Sequence, residues 1–205
     1  MHIKICGLTN LEDALLATSL GADALGFIFY EKSGRFISPQ EVRKITDQLP
    51  AQMKKVGVFV NPPLELLSEY IAVSGINAIQ LHGSETPEFC QKQEVEVIKC
   101  INLINEESVL LPKQYPTVQT FLVDAFDEHS RGGTGKRADW RLARKVAEQY
   151  SIFLAGGLTP ENVVHAVESV RPFGVDVSSG VEESVGKKSP SKMRRFVKAL
   201  RGKTK

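Results

Sequence analysis

The sequence contains few cysteines, three in 205 residues, and none of them form a C-x-x-C pair. A number that is both small and odd does not make a disulfide framework. Without a C-x-x-C pair the sequence also lacks a common zinc-binding pattern, so we expect no metal. No run approaches the roughly 18 consecutive apolar residues of a membrane-spanning helix. The segment Met1–Cys6 is already strand-like, so we expect no signal peptide. These absences predict a protein of the reducing cytoplasm without a membrane partner.

Net charge is also small, because 26 basic residues are set against 24 acidic ones. The exception is the stretch from Ser191 to Lys205, which contains seven basic residues and no acidic one. A basic tail can bind nucleic acid, but it also suits the end of a last helix, where cations meet the negative end of the helix dipole. No nucleic-acid motif accompanies the tail. We therefore favour the helix interpretation and predict no nucleic-acid partner.

Short apolar runs recur along the whole chain. They are rich in Val, Ile and Phe and mostly continuous rather than alternating, which is typical of parallel strands covered on both faces by helices. The predicted strands are Ile3–Cys6, Ala24–Phe29, Val56–Val60, Ala78–Leu81, Val95–Ile101, Phe121–Val123, Ile152–Ala155 and Val175–Val177.

Helix start signals separate these runs. A hydroxyl residue followed by proline can cap the free N–H groups of a first turn, and proline at the first helical position loses no hydrogen bond. This pair occurs at Ser38-Pro39, Thr86-Pro87, Thr159-Pro160 and Ser189-Pro190. Further starts are predicted at Thr9, in a capping box, and at Asn61 and Asp139. Between the fifth and sixth strands, prolines leave only Asn105–Leu111 for a helix.

Strands that alternate with helices predict βαβ units and a parallel sheet. Eight units fit an open doubly wound sheet or a closed barrel, and the count of eight favours the α/β class with a (β/α)₈ TIM barrel. No G-x-G-x-x-G follows the first strand, which weakens the dinucleotide-binding alternative. No linker or break in composition divides the chain, so residues 1–205 are predicted to form a single domain.

The active site of such a barrel lies at the C-terminal ends of the strands, and the loops after the last two strands commonly bind phosphate. Those loops contain Gly156, Gly157, Ser178, Ser179 and Gly180. Glycine lets the backbone approach an anion, and serine adds a hydroxyl donor. Either group alone is equally explained by a turn, but both in the expected loops favour phosphate. The Gly132–Gly135 loop resembles a phosphate-contacting lid without Walker A spacing.

Other strand ends contain groups suited to acid–base chemistry. Cys6 is either a small core residue or a thiolate that faces the site as base or nucleophile. An unpaired carboxylate inside the core is costly, so Asp124 is expected to point into the cleft, with helix capping as the alternative. His82, close after Gln80, either faces the site or bonds to a neighbouring loop. Arg35 either binds a ligand or is solvated.

Several segments form a specific pattern in this order: Lys4–Thr9, Gly26–Phe29, Gly57–Asn61, Gln80–Gly83, Gly132–Gly135, Leu154–Leu158, Pro160–Asn162 and Gly174–Glu182. With these segments the chain resembles the phosphoribosylanthranilate isomerase family of tryptophan biosynthesis, essentially from Ile3 to Val181.

The resemblance implies an Amadori rearrangement of N-(5-phosphoribosyl)anthranilate, without cofactor or metal. It implies Cys6 as general base, Asp124 as general acid and Arg35 at the anthranilate end, with the glycine and serine loops holding the phosphate. Gln80 and His82, in a matching segment, are predicted to contact the substrate. The expected partner is thus a phosphorylated small molecule, and the family favours a monomer over a homodimer.

Two other functions stay open. Another phosphosugar barrel, such as an aldose–ketose isomerase of histidine biosynthesis, would use a carboxylate base after the first strand, where this chain has Cys6. A non-catalytic phosphometabolite-binding protein would keep the glycine and serine loops, without needing Cys6 and Asp124 to face one ligand.

Overall fold

The computed structural model describes residues 1–124 and 140–202, in which parallel strands close into a barrel in sequence order. The barrel closes where β1 pairs with β8, with Lys4 beside Asp176. The predicted (β/α)₈ barrel is confirmed, and all predicted strands are present with ends shifted by no more than 2 residues. The barrel strands are β1 (His2–Ile5), β2 (Ala24–Ile28), β3 (Lys54–Phe59), β4 (Ala78–Leu81), β5 (Glu96–Asn102), β6 (Thr120–Asp124), β7 (Ser151–Ala155) and β8 (Gly174–Val177).

Helices connect the strands on the outside of the barrel. They are α1 (Leu11–Ser19), α2 (Pro39–Thr46), α3 (Leu64–Ser74), α4 (Pro87–Gln91), α5 (Trp140–Ala147), α6 (Val163–Val170) and α7 (Pro190–Arg201). The connection between β5 and β6 is the 3₁₀ helix Glu107–Gln114. After β8 come the short 3₁₀ helix Ser179–Val181 and a hairpin of β9 (Glu182–Ser184) and β10 (Lys187–Lys188). Within the described residues, none of these helices is long and apolar enough to cross a membrane.

Three of the four hydroxyl–proline pairs begin helices as predicted. Ser38, Thr86 and Ser189 each accept a hydrogen bond from the backbone N–H three residues later, at the starts of α2, α4 and α7. The prediction at Thr159 is wrong. Its N–H donates to the Asn162 side chain at 2.8 Å in a turn, and α6 begins only at Val163.

Two other predicted helix starts are also wrong. The cap of α1 is Asn10, whose side chain accepts from the Asp13 N–H at 2.8 Å, because the Thr9 hydroxyl instead donates to the Gly186 carbonyl. Asn61 does not begin α3, since it takes a positive φ of 48° and its side chain accepts from the Ser84 N–H at 2.7 Å. The predicted start at Asp139 lies outside the described residues.

The segment predicted as Asn105–Leu111 is also longer than expected. The 3₁₀ helix continues through Pro112 to Gln114. Proline removes one donor, and a short helix with i→i+3 bonds accommodates that loss where a longer α-helix would kink.

The basic C-terminal stretch forms most of α7, and two of its described side chains bond to backbone carbonyls of the same chain. Lys192 Nζ donates to the Glu182 carbonyl at 2.7 Å, and Arg201 donates to the Gly21 carbonyl at 2.7 Å. These contacts support the helix interpretation for residues up to 202.

The core consists of two apolar layers separated by the barrel wall. Because side chains alternate along a strand, Ile3 and Ile5 pack among the residues facing the helices, whereas Lys4 points into the barrel. The apolar interior consists of Ala24, Val56, Ala78, Ile98, Cys100, Leu122, Phe153 and Ala155. The Lys4 charge thus lies inside a barrel whose interior is mostly apolar.

Candidate active site

A cavity of about 270 Å³ lies where the C-terminal ends of the strands meet. Its wall contains nine of the ten predicted site residues, namely Cys6, Gln80, His82, Asp124, Gly156, Gly157, Ser178, Ser179 and Gly180. One cleft therefore brings together the candidate acid–base groups and the candidate phosphate loops.

Cys6 reaches this cleft as a continuation of β1. Its N–H donates to the Val177 carbonyl at 2.9 Å, which extends the pairing of β1 with β8. Gly26 makes room for the thiol, because a Cβ at that position would lie 2.6 Å from the sulfur. Burial raises the pKa of the Cys6 thiol, and the charge of Lys4 partly offsets this effect. The thiol form therefore predominates at neutral pH.

His82 and Asp124 face each other across the cavity, with Nε2 and Oδ2 3.7 Å apart. The Gln80 amide lies 2.9 Å from His82 Nδ1. With Gln80 Nε2 as the donor, the ring proton is assigned to Nε2, on the side of Asp124. Burial lowers the pKa of His82 more than Asp124 raises it. The ring is therefore neutral near pH 7, and it belongs to the cavity wall rather than to a loop contact elsewhere.

The glycines of the last two loops have conformations that suit close backbone approach. Gly156 and Gly157 have positive φ values of 87° and 61°. Gly180 packs so closely that a Cβ would lie 1.8 Å from the Leu158 carbonyl oxygen. These loops can therefore present main-chain N–H groups to an anion without side chains in between. The Gly132–Gly135 loop lies outside the described residues.

Within the part of the chain that the structure describes, two buried side-chain polar atoms make no hydrogen bond, Gln80 Oε1 and Ser178 Oγ. Both residues line the cavity. Burying an unpaired polar group is costly, so such groups are normally satisfied. A hydroxylated, phosphorylated ligand can satisfy both, because its hydroxyl can donate to Gln80 while its phosphate accepts from Ser178.

Arg35 is the predicted site residue that the cavity wall does not include. Its guanidinium binds the Glu182 carboxylate on β9 twice, from Nε at 2.8 Å and from Nη2 at 2.7 Å. Lys188 donates to the same carboxylate at 2.8 Å. Arg35 still lies close to the mouth of the barrel, since a Cβ on Gly7 would be 2.7 Å from its Cδ.

Sequence reasoning missed a buried ion pair below the cavity. Asp176 lines the cavity wall, and its Oδ1 accepts from Lys4 Nζ at 2.8 Å. A usable signal existed, because both are charged residues inside apolar strands. The argument that predicted an inward-pointing Asp124 applies equally to them.

Comparison with known proteins agrees with this geometry. A curated N-(5'-phosphoribosyl)anthranilate isomerase from Pelobacter propionicus is 45% identical over 97% of this chain and 94% of its own length. The crystal structure of phosphoribosyl anthranilate isomerase from Thermotoga maritima has a TM-score of 0.91 and 43% identity, covering 98% of this chain and 99% of that one.

Two further solved structures provide information on the ligand and on the oligomeric state. Each aligns with a TM-score of 0.88 over 98% of this chain and 99% of the other chain. One, 41% identical, is a phosphoribosyl anthranilate isomerase in complex with reduced 1-(o-carboxyphenylamino)-1-deoxyribulose 5-phosphate. The other, 40% identical, contains monomers generated from the dimeric Thermotoga maritima enzyme. Residues 3–199 match the N-(5'-phosphoribosyl)anthranilate (PRA) isomerase family, and this chain belongs to that family.

Proposed function

We propose that this chain catalyses the Amadori rearrangement of N-(5'-phosphoribosyl)anthranilate to 1-(2-carboxyphenylamino)-1-deoxyribulose 5-phosphate, by general acid–base catalysis in tryptophan biosynthesis. The observation that carries the proposal is the single cleft in which Cys6 and Asp124 are combined with the glycine and serine loops. A relative of 41% identity binds a reduced form of that product, which supports the same substrate class here.

In the first step Asp124 acts as the acid. Its carboxyl group gives a proton to the furanose ring oxygen, the bond from that oxygen to C1 breaks, and the anthranilate nitrogen becomes an iminium. The neutral His82, 3.7 Å away, lies where it can orient the Asp124 carboxyl group. General acid catalysis of this kind typically contributes roughly 10²–10⁴ in rate.

In the second step Cys6 acts as the base. The iminium acidifies the sugar C2 proton, so the Cys6 thiolate removes it and leaves an enolamine. A proton then moves from the C2 hydroxyl to C1, which gives the ketone. The acid and the base stand at the ends of β6 and β1, so they can approach the sugar from different sides of the barrel mouth.

The remaining cavity residues bind and orient the substrate. The phosphate is held by Gly156 and Gly157 after β7 and by Ser178, Ser179 and Gly180 after β8. The Gln80 carbonyl oxygen accepts from a sugar hydroxyl. For Arg35, the bonds of Nε and Nη2 to Glu182 orient the guanidinium, so that Nη1 is the group offered to the anthranilate carboxylate.

The experiment that tests the function is turnover of freshly made phosphoribosylanthranilate, followed as loss of anthranilate fluorescence. We expect steady turnover by the purified chain without added metal or nucleotide. A well-folded protein that binds the substrate without converting it would instead be a phosphometabolite-binding protein. Conversion only of the aldose substrate of the histidine-pathway isomerase would assign the chain to that rival reaction.

We further propose that residues 1–205 act as one domain and as a monomer in the cytoplasm. All residues of the proposed site come from one chain, and Cys6, Cys90 and Cys100 are free thiols, which suits a reducing compartment. A single cooperative unfolding transition and a monomer mass by light scattering are expected. Because a relative is dimeric, a dimer mass would replace the monomer assignment without affecting the chemistry.

A further inference from the structure

Lys4 is a charged side chain without access to solvent in the interior of the barrel. Its Nζ donates to Asp176 Oδ1 at 2.8 Å, and Asp176 is itself only 8% exposed. Removing two ions from water is costly, and a buried ion pair is often no more stabilising than apolar residues of similar volume. Fold stability alone therefore does not explain a lysine in an interior otherwise filled by residues such as Val56 and Ile98.

The next interior side chain along this strand is Cys6, because residues two apart point to the same face. The charge of the Lys4 ammonium is therefore felt at the sulfur. Burial raises the pKa of the Cys6 thiol, Lys4 lowers it, and Asp176 raises it again. Burial lowers the pKa of Lys4, but Asp176 and Cys6 raise it above its ordinary value, so Lys4 stays charged.

We propose that Lys4 is the counter-ion of the Cys6 thiolate, and that Asp176 limits how strongly Lys4 stabilises that anion. An ammonium group has three donors, so one N–H can hold Asp176 while another is directed to the sulfur. Both are positioning residues, because they act on the proposed base. The catalytic meaning of this inference rests on the proposed function, whereas the charge coupling is a property of the free protein.

Other charged and titratable groups also surround the thiol. Lys188 on β10 and Arg35 in the loop after β2 interact with Cys6 electrostatically, but both are paired with Glu182, and Lys4 outweighs Lys188 in its effect on the thiol. His82 and Asp124 line the same cavity from β4 and β6. Lys4 and Asp176 are the pair whose charges act on Cys6 with opposite signs, and this opposition makes the inference testable.

The test measures the rate at which iodoacetamide alkylates Cys6 in the full chain, quantified on the Cys6 peptide by mass spectrometry at several pH values. The variants are Lys4→Met, Asp176→Asn and the double variant K4M/D176N. The matched control is Lys99→Met. Lys99 is also a buried lysine, paired with Glu85 at 3.0 Å. Its other hydrogen bonds go to backbone carbonyls and its ammonium lies over the Tyr115 ring, whereas the groups that shift the pKa of Cys6 do not include it.

Lys4→Met should slow alkylation and Asp176→Asn should accelerate it. A neighbouring charge shifts a pKa by about 1–3 units, and falling nucleophilicity offsets nearly half of each gain in thiolate, so the expected rate changes are roughly 3- to 40-fold. Lys99→Met also removes a buried ion pair, so with every variant assayed well below its Tm it should leave the rate unchanged. A role limited to stability predicts no such opposite changes.

The proposal is overturned if Lys4→Met and Asp176→Asn change the rate in the same direction, if neither changes it, or if Lys99→Met slows it as much as Lys4→Met. Should Lys4→Met fail to fold, the double variant carries no unpaired buried ion, and its rate must be lower than that of Asp176→Asn. Wild-type protein without turnover would contradict the proposed function, yet it would leave the alkylation result intact.

Discussion

Replacing Asp124 by Asn tests the division of labour between the two proposed catalytic residues. The amide keeps the shape of the carboxyl group but cannot give a proton to the ring oxygen. We expect kcat to fall roughly 10²–10⁴-fold, or about 3–5 kcal/mol in the barrier. Since the phosphate loops are untouched, KM should change little. Cys6→Ser should cost a similar amount, because a hydroxyl of similar size is a far poorer base near neutral pH.

The pH profile separates the two roles. The productive form of the wild type has a thiolate at Cys6 and a carboxylic acid at Asp124. This productive form contains the same number of protons as the form with a Cys6 thiol and an Asp124 carboxylate. The ratio of the two forms is therefore independent of pH. The wild-type kcat/KM should therefore be flat through neutral pH and fall above the Cys6 pKa, which burial raises above its ordinary value of 9.0. In Asp124→Asn only the thiolate remains necessary, so residual kcat/KM should rise about tenfold per pH unit up to that pKa.

The assay is the fluorescence assay for phosphoribosylanthranilate, run across the pH range with the two variants and with Cys90→Ser as control. Cys90 is also a buried thiol, but it lies in α4 and is absent from the cavity wall. A flat residual profile in Asp124→Asn would refute the assignment of Cys6 as the titrating base. Wild-type kcat in Cys6→Ser would make the thiol a packing residue and His82, 3.7 Å from Asp124, the next candidate base.

Three further predictions address binding and stability. Inorganic phosphate should compete with substrate, and Gly156→Val, at a φ of 87°, should raise KM more than it lowers kcat in steady-state assays. Lys99→Met should leave Glu85 buried without its ion partner, at a cost of about 3–5 kcal/mol and a Tm lower by roughly 6–20 °C in calorimetry. Lys54→Met, at the exposed Lys54–Glu96 pair, should cost at most about 1 kcal/mol. Glu182→Gln should destabilise the protein at neutral pH, and the gap to wild type should close on acidification. Burial raises the pKa of Glu182, but Arg35 and Lys188 lower it further, so their stabilisation is present above the unfolded value near 4.5 and is lost as pH falls through the folded value.

The barrel and most of the cavity wall were predictable because both follow from position along the chain. A strand buried on both faces has a continuous apolar sequence, and in a parallel barrel every strand ends at the same rim. Residues at or just after a strand end, such as His82 and Gly156, therefore had to meet in one place. Helix caps were less predictable, because the hydroxyl groups of Thr9 and Thr159 bond to groups outside the first helical turn. Thr9 donates to the Gly186 carbonyl, and Thr159 accepts from the N–H of Glu161, which precedes α6.

Arg35 shows why the orientation of a side chain, unlike its position at a strand end, cannot be predicted from the local sequence. Its position in the loop after β2 was known from the sequence, but its direction depends on Glu182, 147 residues further along the chain. A long side chain at a barrel rim can reach either the cavity or the neighbouring loop. The choice is made by whichever buried carboxylate lies within reach, and that is a property of packing rather than of local pattern.

The Lys4–Asp176 pair was partly predictable from the sequence. Lys54 and Glu96 are exposed because each is the first residue of its strand. A charged residue at or beyond the middle of a strand that is covered on both faces is expected to be buried, so Lys4 and Asp176 could each have been identified as needing a partner. The identity of that partner requires the barrel to close, because closure makes β8 the neighbour of β1 and the register sets Lys4 beside Asp176. An open sheet with the same sequence would leave the first and last strands apart and both charges unpaired. The ion pair is therefore itself an argument for closure, and the same closure places its charges beside the thiol proposed as the base.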